Sequence, residues 1–472
     1  ESVRLGVQEL YERRGGMFLW FDGGQLSPAA HRLLNVLYTG QDHGLQMHLL
    51  KPAIAKNLAE ALAWNERMLV SRSVGAQDYM TLVRLRGLLI GQMDGQLTAA
   101  ALMLSRMLHQ TTLGGRDLAS ILPPVDQLED WVAELLPWHP QYERLLGALE
   151  RYRSYRTSGG FRAVRMPEGM EEFPREIRAQ TVVDLRARLG AEGFLSGPPS
   201  GHADQLDEAL IAALESFQYS RGLPVDGVLS TALVEELNVP VQHLIQRIEQ
   251  SLKQWRQSPT RTEDTFVQVN LPEYMVEMYH YRTRVQRQRA VIGYPYGTGG
   301  GRTRQFHSMI KEVVINPGWS PSESIQNNEL VPKESRDKGY LARKGFQWIT
   351  NGRGERRLFQ RPGPNNALGR VVLRFKNPNR IYLHGSPDQE QFGKAKRAWS
   401  HGCVRVQGIE ELAQDLLELT NEGTRDMVKH AVTSGKTVRH NLEQPVPIHF
   451  EYVMTTVEDS GLVRFLPNIY RL

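Results

Sequence analysis

The period of the apolar residues changes at Phe266, and the change divides the 472-residue chain into a helical part and a β-rich part. Before it, apolar residues recur at helical spacing: Leu145, Leu149 and Tyr152 fall at i, i+4 and i+7, and Gly159-Gly160 reads as a helix stop. After it, runs such as VQVNLPEYMVEMYHY, VQRQRAVIGYP and VVLRF are rich in β-branched and aromatic residues. A helix lines up side chains every 3.6 residues and a strand every second one, so a single core cannot serve both patterns. A chain of this length also exceeds one core. The fold class predicted is therefore α+β and multidomain: an all-α scaffold over 1–170, a small three-helix module over 171–239, a linker helix over 240–260 returning to the scaffold, and a mainly-β domain over 261–472.

The helical part carries no catalytic constellation. A Pro- and Glu-rich connector, Met166 to Pro174, leads into the module near Ile177. There a helix around Val182 to Leu189 is expected to stop at Gly190, and a second to carry Leu206, Leu210, Leu214 and Phe217 on one face before Gly222. Val225-Asp226-Gly227 reads as a turn, and a third helix starts at Ser230 or Thr231. In the β-rich part, the first two runs read as a hairpin-like strand pair, followed by the glycine-rich loop Gly297 to Gly301 and a strand from Met309 to Ile315. A polar insertion of about 320–366 then interrupts the β pattern; insertions of this length are commonly functional lids or disordered.

The chemistry is expected in RIYLHGSPDQEQFGKAKRAWSHGCVRV, Arg380 to Val406, where the only cysteine of the chain stands between two His-Gly pairs. Ile381, Tyr382 and Leu383 lead into His384, and turn chemistry follows at Gly385-Ser386-Pro387, so His384 belongs at a strand end. Cys403-Val404-Arg405-Val406 reads as a second strand, with a helix after Gly408. A thiol reacts as the thiolate, and an imidazole, a cation such as Arg405 or a helix N-terminus would each favour that form. A lone cysteine is usually a small buried apolar residue, but the flanking glycines let the backbone approach closely and aim the amides of Gly402 and Cys403 at a developing oxyanion.

One cysteine excludes an internal disulfide framework and any CxxC or four-cysteine zinc site. No run reaches the ~18 apolar residues of a membrane span. The net charge of +5 comes from arginines scattered among acids, without a basic stripe carrying interleaved aromatics, which argues against nucleic acid as a partner and suits an anionic polymer such as the cell wall. The glycine-rich loop and Gly435-Lys436-Thr437 lack the context of a phosphate loop, and Ser335-Arg336-Asp337-Lys338 is an SxxK match without its companion motifs.

The stretch HG at His384, then SHGCVR from Ser400, together with NNALGRVVLRFKNPNRIYLH before it, resembles the signature of the L,D-transpeptidases. FQYSRGLPVDGVLSTALVEEL resembles the small peptidoglycan-binding modules, and the order of elements is similar to the large periplasmic Gram-negative members, with a capping insertion over the catalytic domain. Gly385 stands where an acidic residue often follows the histidine, and Arg302-Thr303-Arg304 lacks the usual Thr-Pro turn. The resemblance implies that Cys403 attacks a stem tetrapeptide with His384 as base, oriented by the Gly385 carbonyl, releasing D-alanine. The thioester then passes to a diaminopimelate amine, a 3→3 cross-link made with no cofactor and no metal. It further implies Gly402 and Cys403 amides as the oxyanion site, with His401, Arg405, Ser400, Tyr382 and Trp319 lining the pocket.

The implied partners are peptidoglycan stem peptides, glycan strands held by the module, and other cell-wall synthesis enzymes; a carbapenem would acylate Cys403. The implied location is the periplasm, with an export signal or anchor expected ahead of Glu1. Hydrolysis of the same acyl-enzyme, or its transfer to a lipoprotein, is the alternative outcome. Zinc bound by His384, His401 and Cys403 is a rival from another class. Between the histidines, an extended strand would set His401 and Cys403 on one face in parallel, whereas His384 approaches from another strand end and is expected to set the thiolate population.

Overall fold

The structure is a computed structural model that describes residues 2–39, 50–71, 75–109, 122–133, 139–176, 178–199, 201–258, 263–295, 301–350, 352, 354–420, 423–424 and 426–472. Ile177 and Gly297 to Gly300 of the glycine-rich loop lie outside the described residues. The chain divides into two compact units, residues 1–161 with 239–261, and residues 162–238 with 262–472.

The first unit is helical apart from a two-residue strand pair at Phe21–Asp22 and Gln25–Leu26. Its longest helix, Ala76–His109, buries Met93, Leu97, Ala101 and Leu104. Asp94 on that helix accepts the amides of Leu19 (3.0 Å) and Trp20 (2.8 Å) and the Tyr11 hydroxyl, pinning the strand pair. Burial raises the Asp94 carboxyl above its ordinary range. Helix Val241–Gln257 belongs to the same unit and packs on Pro140–Thr157, with Trp255 stacked on His139 at 3.9 Å and Arg153 paired to Glu249 at 3.1 Å. Among the described residues, no helix is long and apolar enough to cross a membrane.

The second unit begins at Arg162 rather than near residue 171. The segment that composition marks as a connector, Met166 to Pro174, is part of the module: its Phe173 is buried in the core with Met166 and Met170 packed against it, and Val164, just ahead of it, exchanges two 2.8 Å hydrogen bonds with the Asn238 side chain. The three helices are Gln180–Ala191, Glu208–Ser220 and Thr231–Leu237. Gly190 lies inside the first, which gives way to Gly193 at φ +87°, and Leu206 precedes the second, whose cap is Asp207 accepting the Leu210 amide. Ser230 caps the third.

Apart from the two-stranded pair Thr455–Val457 with Val463–Phe465 and a hairpin in the insertion, the β domain is one nine-stranded sheet. In chain order the strands are β1 (Thr265–Asn270), β2 (Met275–His280), β3 (Thr283–Gly293), β4 (Phe306–Ile315), β5 (Val371–Phe375), β6 (Leu383–His384), β7 (Ala398–Ser400), β8 (Val404–Val406) and β9 (Val438–Glu451). Their spatial order is β7-β3-β8-β6-β5-β4-β9-β1-β2, and β2 also pairs with β3, so the sheet curls back on itself. What reads in sequence as one strand before VQRQRAVIGYP is two, β1 and β2, turned at Leu271 to Tyr274, where Tyr274 takes φ +57°. The closed side of the sheet buries Val267, Ile292, Val313, Leu373, Leu383 and Val404 with one face of helix Ile409–Leu419. The helix Met427–Ser434 was not legible in the sequence; its Val428 packs into the same core.

The insertion folds as short helical turns from Glu323 to Arg343 and an antiparallel hairpin, Phe346–Thr350 with Arg356–Gln360. Its own small core is Leu330, Leu341, Phe346 and Leu358, against which Trp319 packs. Trp319 and Gln360 close its base by exchanging backbone hydrogen bonds of 3.0 and 2.7 Å.

One buried ion cluster ties the module together. Glu192 accepts from both Arg188 and Arg221 at 2.7 Å, with all three side chains at most 2% exposed. Arg221 also lies 4.3 Å from the Phe217 ring centre. Removing one member of such a cluster leaves buried charge behind, so Glu192→Ala should cost about 3–5 kcal/mol of module stability. Denaturant unfolding of the full chain, followed by a probe in the module, checks this; a loss under about 1 kcal/mol contradicts it.

Candidate active site

Two residues of parallel pairing build the centre of the site. Leu383 stands opposite Val404 and His384 opposite Arg405, in strands that the sequence separates by a long loop. His384 and Arg405 stand opposite each other in register, and both line a cavity of about 490 Å³ together with Cys403 from the bend ahead of β8. Its other walls come from the insertion, among them Trp319, Glu329, Leu330 and Tyr340.

The imidazole is held as the sequence reading expects. His384 is buried, and its Nδ1 donates to the Gly385 carbonyl at 2.7 Å, which leaves the lone pair on Nε2. Gly385 has a steric reason to be glycine. A Cβ there would come within 3.0 Å of Ile409 Cγ2, and Gly369, at φ +65°, packs its backbone against Gly385. A side chain there would require Ile409 to give way by a few tenths of an ångström.

The thiol is half-buried, and its hydrogen bond goes to the Arg380 carbonyl at 3.7 Å. Arg380 takes φ +53°, a conformation non-glycine residues rarely adopt, and Asn377 holds the turn in place. The Asn377 side chain accepts the amides of Asn379 (3.1 Å) and Ile381 (2.9 Å) and donates to the Ile381 carbonyl at 2.7 Å.

The backbone from Ser400 to Cys403 is a bend, with Gly402 at φ +112°, not an extended strand. His401 and Cys403 are consequently not parallel neighbours on one strand face. The His401 side chain is half exposed, and its Nε2 lies 2.6 Å from Glu329 Oε1 of the insertion. Glu329 belongs to a π-helical turn, Gln326–Leu330, a rare conformation often found at functional sites.

Two hydroxyls clamp this bend. Ser400 Oγ donates to the Cys403 carbonyl at 2.5 Å and accepts the Gly402 amide at 3.2 Å. Thr303 Oγ1 donates to the Gly402 carbonyl at 2.8 Å while accepting the Gly293 amide at 2.9 Å. The Gly402 amide, expected at an oxyanion site, is therefore engaged by Ser400. Thr303 and Asn377 are residues the sequence reading missed; a buried threonine in the segment noted for lacking Thr-Pro was the available signal. Tyr382 is not among the lining residues; its ring lies against Phe375 (6.4 Å) and Arg374 (5.9 Å). Ser335, of the SxxK match, donates to the Val331 carbonyl at the surface.

The electrostatics differ from the expected thiolate. Burial, Arg405 opposite it and the opposing bond to Gly385 leave the His384 imidazole pushed down to about 4. Burial raises the Cys403 thiol above its ordinary value, against the lowering effects of the Tyr382 backbone N–H and Arg405. Arg405 is thus the cation that favours the thiolate, and His384 is neutral. Arg405 is aimed by a 2.7 Å bond to Gln391 Oε1.

Zinc held by His384, His401 and Cys403 is not supported by the geometry, since His401 turns to the insertion. Among the described residues, the ligand atoms that do converge belong to His307, His449 and Glu451, on the paired strands β4 and β9. There the two Nδ1 atoms lie 2.9 Å apart and His449 Nε2 bonds Glu263 at 2.5 Å.

Residues 264–438 match the L,D-transpeptidase catalytic domain, residues 178–237 a domain described as "Putative peptidoglycan binding domain", and residues 6–149 a scaffold domain. The chain therefore carries an L,D-transpeptidase catalytic domain joined to a peptidoglycan-binding-type module and a helical scaffold, in the order that its sequence resembled. A protein of Haemophilus influenzae named "Putative L,D-transpeptidase" is 28% identical over 219 residues, 43% of this chain and 43% of that protein. This alignment spans less than half of that relative. Crystal structures of L,D-transpeptidases from Xylanimonas cellulosilytica (14% identity, TM-score 0.20, 61% of this chain and 100% of that one) and Stackebrandtia nassauensis (13%, 0.24, 60% and 96%) are also similar.

The depressed imidazole has a consequence for stability. The unfolded chain protonates His384 near its ordinary pKa of about 6.5, whereas the folded chain does so only near 4. Its contribution is complete above about pH 6.5 and is lost as the pH falls toward 4, by up to roughly 3 kcal/mol. His384→Gln should flatten that part of the stability–pH curve. An unchanged slope in the variant between those limits contradicts the neutral, buried imidazole.

Proposed function

We propose that the chain is a cysteine-dependent L,D-transpeptidase that forms 3→3 cross-links in peptidoglycan, acting at the cell wall in the periplasm. The observation that carries this reading is the convergence of Cys403, a tautomer-fixed His384 and Arg405 on one wall of a cavity capped by the insertion. The tetrapeptide donor lies in that cavity with the carbonyl between its third and fourth residues beside Sγ. The thiol rotates away from the Arg380 carbonyl toward His384 Nε2 as it attacks, so the S–C bond forms while the proton passes to nitrogen. The tetrahedral intermediate collapses with cleavage of the C–N bond, and the imidazolium returns its proton to the departing amine of D-alanine. Burial and Arg405 both disfavour the imidazolium, which drives that return.

The thioester is then attacked by the side-chain amine of a diaminopimelate on a second stem. His384 takes the amine proton, the new amide forms, and the sulfur leaves and recovers a proton. No cofactor is called for in either half. The Cys403 amide donates to the oxyanion, and the Gly402 amide joins it once substrate displaces the Ser400 hydroxyl. Arg405 supplies positive charge, while Trp319 forms a wall of the insertion side. His401 and Ser400 shape the loop, and we assign the Tyr382 contribution to its backbone, whose N–H faces the sulfur.

Cys403→Ala should abolish D-alanine release from a disaccharide tetrapeptide and leave the fold intact, since the change removes one sulfur from a half-buried bend. Release by the variant at more than a few per cent of the wild-type rate contradicts the assignment of the nucleophile.

The insertion excludes water from the acyl-enzyme, which favours transfer over the hydrolysis that a carboxypeptidase would perform. The His401–Glu329 contact holds it down at a surface-exposed position, so its loss loosens the lid without unfolding it. Glu329→Ala should raise hydrolysed over cross-linked product roughly two- to fivefold in muropeptide analysis, consistent with a contact worth at most about 1 kcal/mol. An unchanged product ratio contradicts the lid.

A further inference from the structure

A second cavity, of about 470 Å³, lies in the same unit, where the three-helix module meets the β domain. The module contributes Tyr219, Leu223 and Val225, and the β domain contributes most of the remaining wall. The joint is closely fitted. Tyr219 donates to Glu458 at 3.0 Å, and a Cβ on Gly222 would come within 2.7 Å of Pro467.

The cations of this cavity fall into two groups. Arg287 and Arg464 are neutralised by carboxylates: Arg287 pairs with Glu273 (2.8 Å) and Glu458 (2.9 Å), and Arg464 with Glu458 (3.3 Å). Arg289, Lys394 and Arg397 form no ion pair among the described residues. Arg397 spends its donors on the carbonyls of Ala290 (3.1 Å), Lys394 (2.8 Å) and Tyr274 (3.3 Å). Arg289 donates to the Phe392 carbonyl at 3.3 Å. Lys394 lies 5.2 Å from the Trp399 ring centre. Carbonyls orient a guanidinium but do not cancel its charge. Burial, and then the neighbouring Arg289, push the Arg397 guanidinium down to about 10.

We propose that this cavity is a binding site for an anionic oxygen group, and that its ligand is a carboxylate of a peptidoglycan stem peptide held between Arg289, Lys394 and Arg397. The assignment of a wall peptide rests on the function proposed above; the charge arrangement does not. Apolar Leu223 and Val225 on the module side suit the aliphatic part of such a peptide. Wall recognition is then shared: the cations come from the β domain, and the module closes the site. The position also relates to the chemistry. Arg397 begins the segment that pairs with β3, Ile292 donating to its carbonyl at 2.8 Å, and that segment runs on to the bend holding Cys403.

The test uses the full chain carrying Cys403→Ala, so that binding is read without turnover, and adds Arg289→Gln and Lys394→Gln, both at exposed positions. Arg397 is left in place because its three carbonyl bonds hold the strand pairing. Calorimetry with a soluble disaccharide tetrapeptide should show binding at least tenfold weaker in the double variant, with a shallower dependence on salt than the parent. The same peptide with amidated carboxylates should bind both proteins equally weakly. Equal affinity of parent and double variant for the free-acid peptide overturns the site. Competition by inorganic phosphate, without a difference between the two proteins for the peptide, overturns the carboxylate ligand in favour of a phosphate group. In chains with Cys403 restored, carbapenem acylation should proceed at the same rate with and without the two substitutions, so a negative binding result leaves the acyl-transfer reading standing on its own measurement.

Discussion

The site depends on a parallel pairing only two residues long, Leu383 with Val404 and His384 with Arg405. Parallel strands need a crossover, here the loop from Gly385 to Gly402, and that loop is long enough to contribute Gln391 to the aim of Arg405 and Ser400 to the shape of the cysteine bend. Register is unforgiving in such a pairing, because a slip of one residue would turn His384 to the other face. The flanking strands guard against it. β5 pairs antiparallel with β6, setting Val372 opposite His384, and β3 pairs with β8, setting Val291 opposite Arg405. The catalytic face is thus registered from both sides by strands whose apolar residues fill one core.

This packing favours the neutral form of both the Cys403 thiol and the His384 imidazole. A preformed thiolate–imidazolium pair would put two charges in a partly closed cavity, and burial works against each of them. The Tyr382 backbone N–H and Arg405 favour the thiolate, and Arg405 simultaneously disfavours a charged His384. The arrangement suits proton transfer concerted with attack, in which the imidazole is cationic only while a leaving amine waits to be protonated. The tautomer that this requires is fixed by one backbone bond, from Nδ1 to the Gly385 carbonyl.

Much of this was legible in the sequence. The His384 strand end, the helix beginning after Gly408 and the order of scaffold, module and β domain follow from turn residues and from the period of the apolar residues, and the bond to Gly385 is what the family resemblance implied. Less legible were features set by tertiary contact. The connector reads as a linker because it is rich in Pro and Glu, yet its Phe173 is an apolar anchor of the module, with Met166 and Met170 packed against the same core. The bend at His401 to Cys403 reads as strand because glycine at φ +112° leaves no pattern in the letters. Thr303 and Asn377 act through hydrogen bonds to distant backbone, which no local period reports. The sign of the thiol shift depends on burial against Tyr382 and Arg405, and spacing alone does not supply burial.

The central claim is that Cys403 carries the acyl group in a covalent intermediate. Rapid acid quenching after mixing the protein with a disaccharide tetrapeptide, followed by intact-mass and peptide-level mass spectrometry, reads that intermediate directly. The account predicts an adduct of donor mass less D-alanine, labile to hydroxylamine and confined to the peptide bearing Cys403. An adduct on another residue, or release of D-alanine with the Cys403 thiol never occupied, would contradict it.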